Sequence, residues 1–363
     1  MNDPLLDDFL STKNPQTQRV YHTILQHYMN YTGKSMTELV EEAEEEQYGN
    51  VLKRKRKIKG YLSGFKQYRE DLGHSPHTVK NSITTVRSFY NYFDVDLPKE
   101  KQKYHWMERL TADRLPTRSD IRRVLSVANP KYRSIISVGY SSGMGAGEIT
   151  SLTIQDLING LGINNPHSIG ELRHIVGEYK APVIKWKIHR IKTGSPYVTF
   201  SNPETLHNIL EYLGFENPYL EDGPLFPGDA GKPLRGKSLA TQYQRLNDRC
   251  GFGRVGRQGY FRSHTMRKWF AVQMERTALG YNGTRQLLGH SVPVDPVGDS
   301  YILTDPNHLE FLYRQSMAAV SVTSRVKTYR VTDERVERLE AKMDRMEKAL
   351  ELSERLRQHP RPE

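Results

Sequence analysis

Apolar residues over positions 5–95 recur every three or four places, and the pattern stops at a polar run containing Pro98. Thr17, Val20, Tyr21, Ile24, Leu25 and Tyr28 share one helical face, ahead of the turn residues NYTGKS. TELVEEAEEE predicts a second, acidic helix, and Ile58, Tyr61, Leu62, Phe65 and Tyr68 predict a third. Ser75-Pro76 supplies a cap and first turn for a fourth, whose Val79, Ile83, Val86, Phe89 and Tyr90 form one stripe. Such stripes are buried against one another, so residues 1–100 are expected to form a helical domain. DLPKEKQKYHWMERL breaks the period and places a boundary near residues 97–110.

A different mixture follows. TRSDIRRVLSVA and YRSIISVGYSS predict helices, and APVIKWKIHRIKTGSPYVTF alternates as two strands joined at KTGS. Further helices are expected around 203–213, 237–248, 264–279 and 283–289. The fold class expected is mainly α with a small β-sheet: a helical domain (1–100), an α+β domain (108–325) and a C-terminal helix or short coiled coil (330–358). That last segment rests on Val336, Leu339, Met343, Met346 and Leu350, spaced by three and four.

Charge limits the partners. A net charge of +11 over 363 residues favours a polyanion, through field steering and counterion release. Lys53, Arg54, Lys55, Arg56 and Lys57 form a basic run, and with Lys80 they are the candidate DNA contacts. Cys250 is the single cysteine, which excludes an internal disulfide and a cysteine-rich metal site. MNDPLLDDFL lacks the basic-then-apolar layout of a secretory leader, and no apolar run approaches the roughly 20 residues that span a bilayer. A cytoplasmic, nucleoid-associated protein without membrane contact is expected.

Residues 137–152, SVGYSSGMGAGEITSL, carry Gly143, Gly145 and Gly147 at alternate positions. A phosphate-binding P-loop needs a Gly-Lys-Ser/Thr ending, and a dinucleotide loop needs its third glycine one place later, after a strand. Neither pattern is met, so a turn between helices is the expected role. Downstream lie Lys192 in HRIKTGSPY, His264 and Arg267 in RSHTMRKWF, His290 in LLGHS and Tyr301 in GDSYIL.

In that order these residues resemble the motifs of the tyrosine recombinase (phage integrase) family, particularly its archaeal branch. The resemblance covers roughly residues 5–320. The family has an arginine in a turn of the form Gly-Leu-Arg-x-x-Glu-Leu, a hairpin lysine, His-x-x-Arg, Leu-Gly-His and a downstream tyrosine. Gly143 to Ile149 align with that turn, and Gly145 stands at the position of the first catalytic arginine. Arg133, Arg190 and Arg262 are candidate replacements.

The resemblance implies a core-binding domain followed by a catalytic domain, clamped around double-stranded DNA and working as a homotetramer at synapsis. It implies attack by Tyr301 on a phosphodiester to give a 3′-phosphotyrosyl link, with Lys192 as acid and Arg267, His264 and His290 on the phosphate oxygens. No metal and no cofactor are implied. Site-specific recombination for a mobile element or virus is the function expected, impaired if nothing replaces the arginine. A non-catalytic DNA-binding descendant and a type IB topoisomerase are the alternatives.

Overall fold

A computed structural model describes residues 3–99 and 115–323, apart from 165, 180, 181, 257 and 291–304. The expected C-terminal helix (330–358) and the candidate nucleophile Tyr301 lie outside the described residues. The chain divides into two compact units, Met1–Leu110 and Thr111–Glu363.

The first unit holds α1 (Pro4–Ser11), α2 (Pro15–Thr32), α3 (Met36–Tyr48), α4 (Lys57–Asp71) and α5 (Pro76–Tyr92). Local chemistry sets most of the boundaries. Asn14 and Ser75 cap α2 and α5 with a proline in the first turn, and Gly33, at φ 70°, ends α2 in the left-handed conformation. Asp3 ties two helices together: it accepts from Leu6 N in α1 and from Met36 N and Thr37 Oγ1 at the start of α3. The core collects Phe9, Leu25, Tyr28, Leu39, Phe65, Ile83, Val86, Phe89 and Tyr90, all essentially sealed from solvent. The short α1 has too few turns for its period to stand out in the sequence.

The second unit contains α6 (Arg118–Val127), α7 (Pro130–Ser142), α8 (Ala146–Thr150), α9 (Ile154–Leu161) and α10 (Ile169–Gly177). After the hairpin of β1 (Ile184–His189) and β2 (Pro196–Ser201) come α11 (Pro203–Glu216), α12 (Gly236–Arg249), α13 (Ser263–Met274), α14 (Gly280–Leu287) and α15 (Pro306–Ser316). β1 and β2 pair antiparallel, Ile184 with Ser201 through His189 with Pro196, and a two-residue pairing of Arg254–Val255 with Gln258–Gly259 is separate. The mainly helical fold with small sheets agrees with the sequence expectation.

α7 is the central element, with every residue from Ser134 to Ser142 buried. Its hydroxyls bind its neighbours: Ser137 accepts from Asn208 Nδ2 (2.7 Å), and Ser141 bonds Ser201 Oγ and Thr205 Oγ1 (2.9 Å each). Tyr140 donates to the buried Glu204 at 2.8 Å, and burial followed by that carboxylate pushes the phenol pKa well up. These buried polar groups are satisfied, so they fix α7 against β2 and α11. The helix expected over 264–279 stops at Met274, where Thr277 Oγ1 takes the last carbonyl and the chain turns into α14.

Candidate active site

The site is built where α7 ends. Gly143 takes φ 69°, and a Cβ there would lie 2.4 Å from Phe270 and 2.7 Å from Leu288, so only glycine fits. The turn aims the Gly143 carbonyl at α13, where Arg267 Nη1 donates to it at 2.7 Å. Gly145 is the N-cap of α8, and its N–H donates to Glu148 Oε2 at 2.6 Å. That carboxylate is buried and lies 3.6 Å from Arg267 Nη1. Unlike Gly143, Gly145 has φ −76° and ψ 163°, a conformation open to any residue. Its absent Cβ would meet Glu148 Oε2 at 3.1 Å, the mobile end of a side chain. The backbone there has room for the arginine that the resemblance leads one to expect.

Arg267 is the hub. Its Nη2 donates to Leu288 O at 2.6 Å and lies 3.3 Å from His290 Nε2. A guanidinium has no acceptor, so Nε2 accepts and the neutral imidazole carries its proton on Nδ1. Gly289 (φ 64°) turns the chain just past the end of α14, and His290 N donates to Arg285 O at 2.9 Å. Desolvation, then Arg267, Arg190 and Arg285, push the His290 pKa down, with Glu148 opposing.

His264 lies one helical turn before Arg267, near the protein surface. Partial desolvation, then Lys268, Arg262 and Arg267, lower its pKa. Lys192 is exposed in the turn between β1 and β2 and forms no hydrogen bond or ion pair with a described residue. Arg267, His290 and the Gly145 turn are therefore gathered in one place, with His264 adjoining along α13.

Two more residues join this corner: Tyr197, which no sequence motif marked, and Arg190, one of the candidate replacements. Tyr197, in β2, buries its hydroxyl beside Glu148 and Arg267, and its ring occupies the space where a Gly289 Cβ would stand. Burial, then Glu148, raises its pKa. Arg190 Nη1 donates to Gly289 O at 3.0 Å. The next residue, Ile191, sits where a Cβ on Gly147 would be, so the hairpin turn rests on the glycine turn. Of the other candidate replacements, Arg133 is engaged by Glu211 (3.1 Å) and by the carbonyls of Leu125 and Ala128. Arg262 buries its Nε without a partner beside His264.

The basic run in the first unit is mostly engaged. Arg56 is buried and donates to Val51 O, Gln47 Oε1 and Asp96 O, so its role there is to hold the loop. Lys53 pairs with Asp96 (2.8 Å) and Lys57 with Glu42 (2.6 Å), while Arg54, Lys55 and Lys80 are exposed. Among the described residues no group of three His, Cys, Asp or Glu side chains could hold a metal. No described helix is long and apolar enough to cross a membrane.

No family model matches the sequence, and no curated protein matches it. Solved structures do. The chain is similar to a lambda integrase (75–356) dimer bound to a COC′ core site: TM-score 0.51, 12% identity, 81% of this chain and 98% of that one. The fold is that of the tyrosine recombinases. XerA recombinase (TM-score 0.35, 16% identity, 86% and 97% covered) and the integrase of mycobacterium phage Brujita (0.36, 16%, 92% and 96%) are also matched. This tyrosine recombinase fold carries glycine at residue 145, with Arg267 and Glu148 meeting beside it.

Proposed function

We propose that the protein is a site-specific DNA recombinase that cuts and rejoins strands through a phosphotyrosyl link. The observation that carries this reading is Arg267, whose guanidinium joins the Gly143 carbonyl, Glu148, the Leu288 carbonyl and His290 at one corner of a tyrosine recombinase fold. A fixed, permanently charged fork suits the non-bridging oxygens of a phosphodiester. Buttressing it on two carbonyls and a carboxylate removes the reorganisation that a free arginine would undergo.

In the proposed reaction the Tyr301 oxygen attacks phosphorus and the P–O5′ bond breaks. The phenol proton passes to His264, and Lys192 gives a proton to the departing 5′-oxygen. The 3′-phosphotyrosyl ester keeps the bond energy, so a free 5′-hydroxyl reverses the step and rejoins the strand. His290, neutral with its proton on Nδ1, donates to a phosphate oxygen. Arg190, fixed beside His290 by its bond to Gly289 O, supplies the second guanidinium that Gly145 lacks. The working assembly in this reading is a homotetramer on double-stranded DNA, and the chain is read as a member of the archaeal branch, which its sequence resembles.

The test is a nicked suicide duplex carrying DNA from the gene's own flanks. A covalent complex that survives SDS and is lost in Tyr301→Phe supports the reading. Salt-dependent binding without an adduct identifies a non-catalytic descendant, for which Gly145 is the supporting observation. Relaxation of any supercoiled plasmid, with no dependence on an inverted-repeat site, identifies a topoisomerase.

A further inference from the structure

The first unit contains a buried arginine with no partner among the described residues. Arg69 lies in the last turn of α4 and is only 5% exposed. Its Nε is sealed from solvent without a partner, and the guanidinium forms no hydrogen bond or ion pair with any described residue. Interior cations are ordinarily paired, because removing one from water is costly. The C-terminal end of α4 offers a partial negative charge, which is weaker than a bonded acceptor. Desolvation lowers the pKa of the group, as expected of a cation without a counter-charge.

Arg69 faces an open groove of about 430 Å³ between α2, α4 and α5. Arg19 stands on its rim, Val20 and Ile24 supply apolar wall, and Thr23, Thr78, Asn81 and Ser82 supply polar wall without a carboxylate. Thr78 is in the first turn of α5, a 17-residue helix whose N-terminal end adds positive potential to the same space. Two guanidinium groups and a helix N-terminus thus surround a space that holds no acidic side chain. Arg19 and Thr23 also line a second hollow of about 560 Å³, together with Gln18, His22 and Asp7. A groove open to solvent fits one unit of a polymer better than an enclosed small ion.

We infer that this groove seats a backbone phosphate of duplex DNA, with Arg69 bonding a non-bridging oxygen from inside and Arg19 from the rim. The identity of the polymer rests on the recombinase reading; the choice of an oxyanion rests on Arg69 itself. In the bound state the buried guanidinium gains the acceptor that the protein does not give it.

The test uses the full chain, with Arg69→Met to remove the charge at similar length and Arg69→Lys to keep it. In duplex DNA titrations over a range of salt, Arg69→Met is expected to bind about tenfold more weakly, with a log–log salt slope smaller by about 0.9, one phosphate contact. Arg69→Lys recovers most of the slope. Without DNA, the melting temperature of Arg69→Met stays at or above that of the parent. A lower melting temperature with an unchanged slope would make Arg69 a packing residue and overturn the inference. So would stabilisation of the parent, but not of Arg69→Met, by inorganic phosphate alone while the slope stays the same. If an SDS-resistant adduct at Tyr301 forms and the slope is unaltered, this inference falls and the recombinase reading stands. If the parent has no salt-dependent affinity for duplex DNA, both fall.

Discussion

Arg190 and Arg267 hold adjacent carbonyls of one short segment: Arg190 Nη1 bonds Gly289 O at 3.0 Å, and Arg267 Nη2 bonds Leu288 O at 2.6 Å. His290 follows directly, so two cations from the hairpin and from α13 set the position of one imidazole. In the proposed reaction, this leaves a guanidinium already present near the corner where Gly145 lacks one.

Arg190 is therefore expected to matter as a charge. Arg190→Ala should lower single-turnover cleavage of a suicide substrate by about 10²–10³-fold, the usual effect of losing a donor to developing charge. Adding Gly145→Arg to that variant should restore most of the rate, because the backbone at 145 accepts a side chain. Gly145→Arg alone should raise cleavage more than affinity. A double variant that stays inactive would show that Arg190 only props up His290.

Arg267→Lys keeps the charge but loses the fork. One ammonium cannot serve the Gly143 and Leu288 carbonyls together while facing His290 and Glu148. Cleavage should fall at least about 10²-fold. Stability should fall by about 1–3 kcal/mol as a buried carbonyl loses its donor. Chemical denaturation and covalent-complex formation measure the two effects separately.

The lowered pKa values of His264 and His290 predict acid sensitivity. In the unfolded chain an imidazole takes up its proton near pH 6.5, whereas in the folded chain uptake is delayed to lower pH. The unfolded state then binds more protons, so stability is full above about pH 6.5 and declines as pH falls through that value toward the folded pKa. Denaturation curves between pH 7.5 and 5 should show this slope, and His290→Gln should flatten it. An unchanged slope in that variant would place the effect elsewhere.

The neighbouring glycines should respond differently. Gly143→Ala forces a methyl group to within 2.4 Å of Phe270 at a positive φ, and should cost about 1–3 kcal/mol, measured by the denaturation midpoint. Gly145→Ala meets only a carboxylate end, and should cost within about 1 kcal/mol, mostly from weaker capping of α8.

Tyr313 is a control for the nucleophile. It is buried with its hydroxyl donating to Ser141 O at 2.8 Å, an arrangement suited to holding α15 against α7. Tyr313→Phe should cost about 1 kcal/mol of stability and still form the DNA adduct. Loss of the adduct in a folded Tyr313→Phe protein would move the nucleophile away from Tyr301.

Period and punctuation carried much of the fold in the sequence. The stripes of α2, α4 and α5 and the alternation of β1 and β2 were plain, because each buries one face along its length. α9 and α10 were harder to find: each has only two or so turns, and their signs were the caps at Thr153 and Ser168. His-x-x-Arg and Leu-Gly-His stood out because their spacing is local, and the fold brings Arg267 Nη2 to 3.3 Å from His290 Nε2. Arg56 reads as one more cation in a basic run, and its burial against Val51, Gln47 and Asp96 depends on how the chain folds back on itself.

The sequence by itself determined the helical first unit, the hairpin, the glycine at residue 145 and the order of the candidate site residues, all properties of near neighbours along the chain. Tertiary structure alone decided that Arg267 and Arg190 converge on the Leu288–His290 segment, that Tyr197 lies against Gly289, and that Arg69 is buried without a partner among the described residues. Those facts follow from contacts between residues far apart in the chain, and the close packing of α7, α13 and the hairpin, not any local pattern, sets which side chains meet.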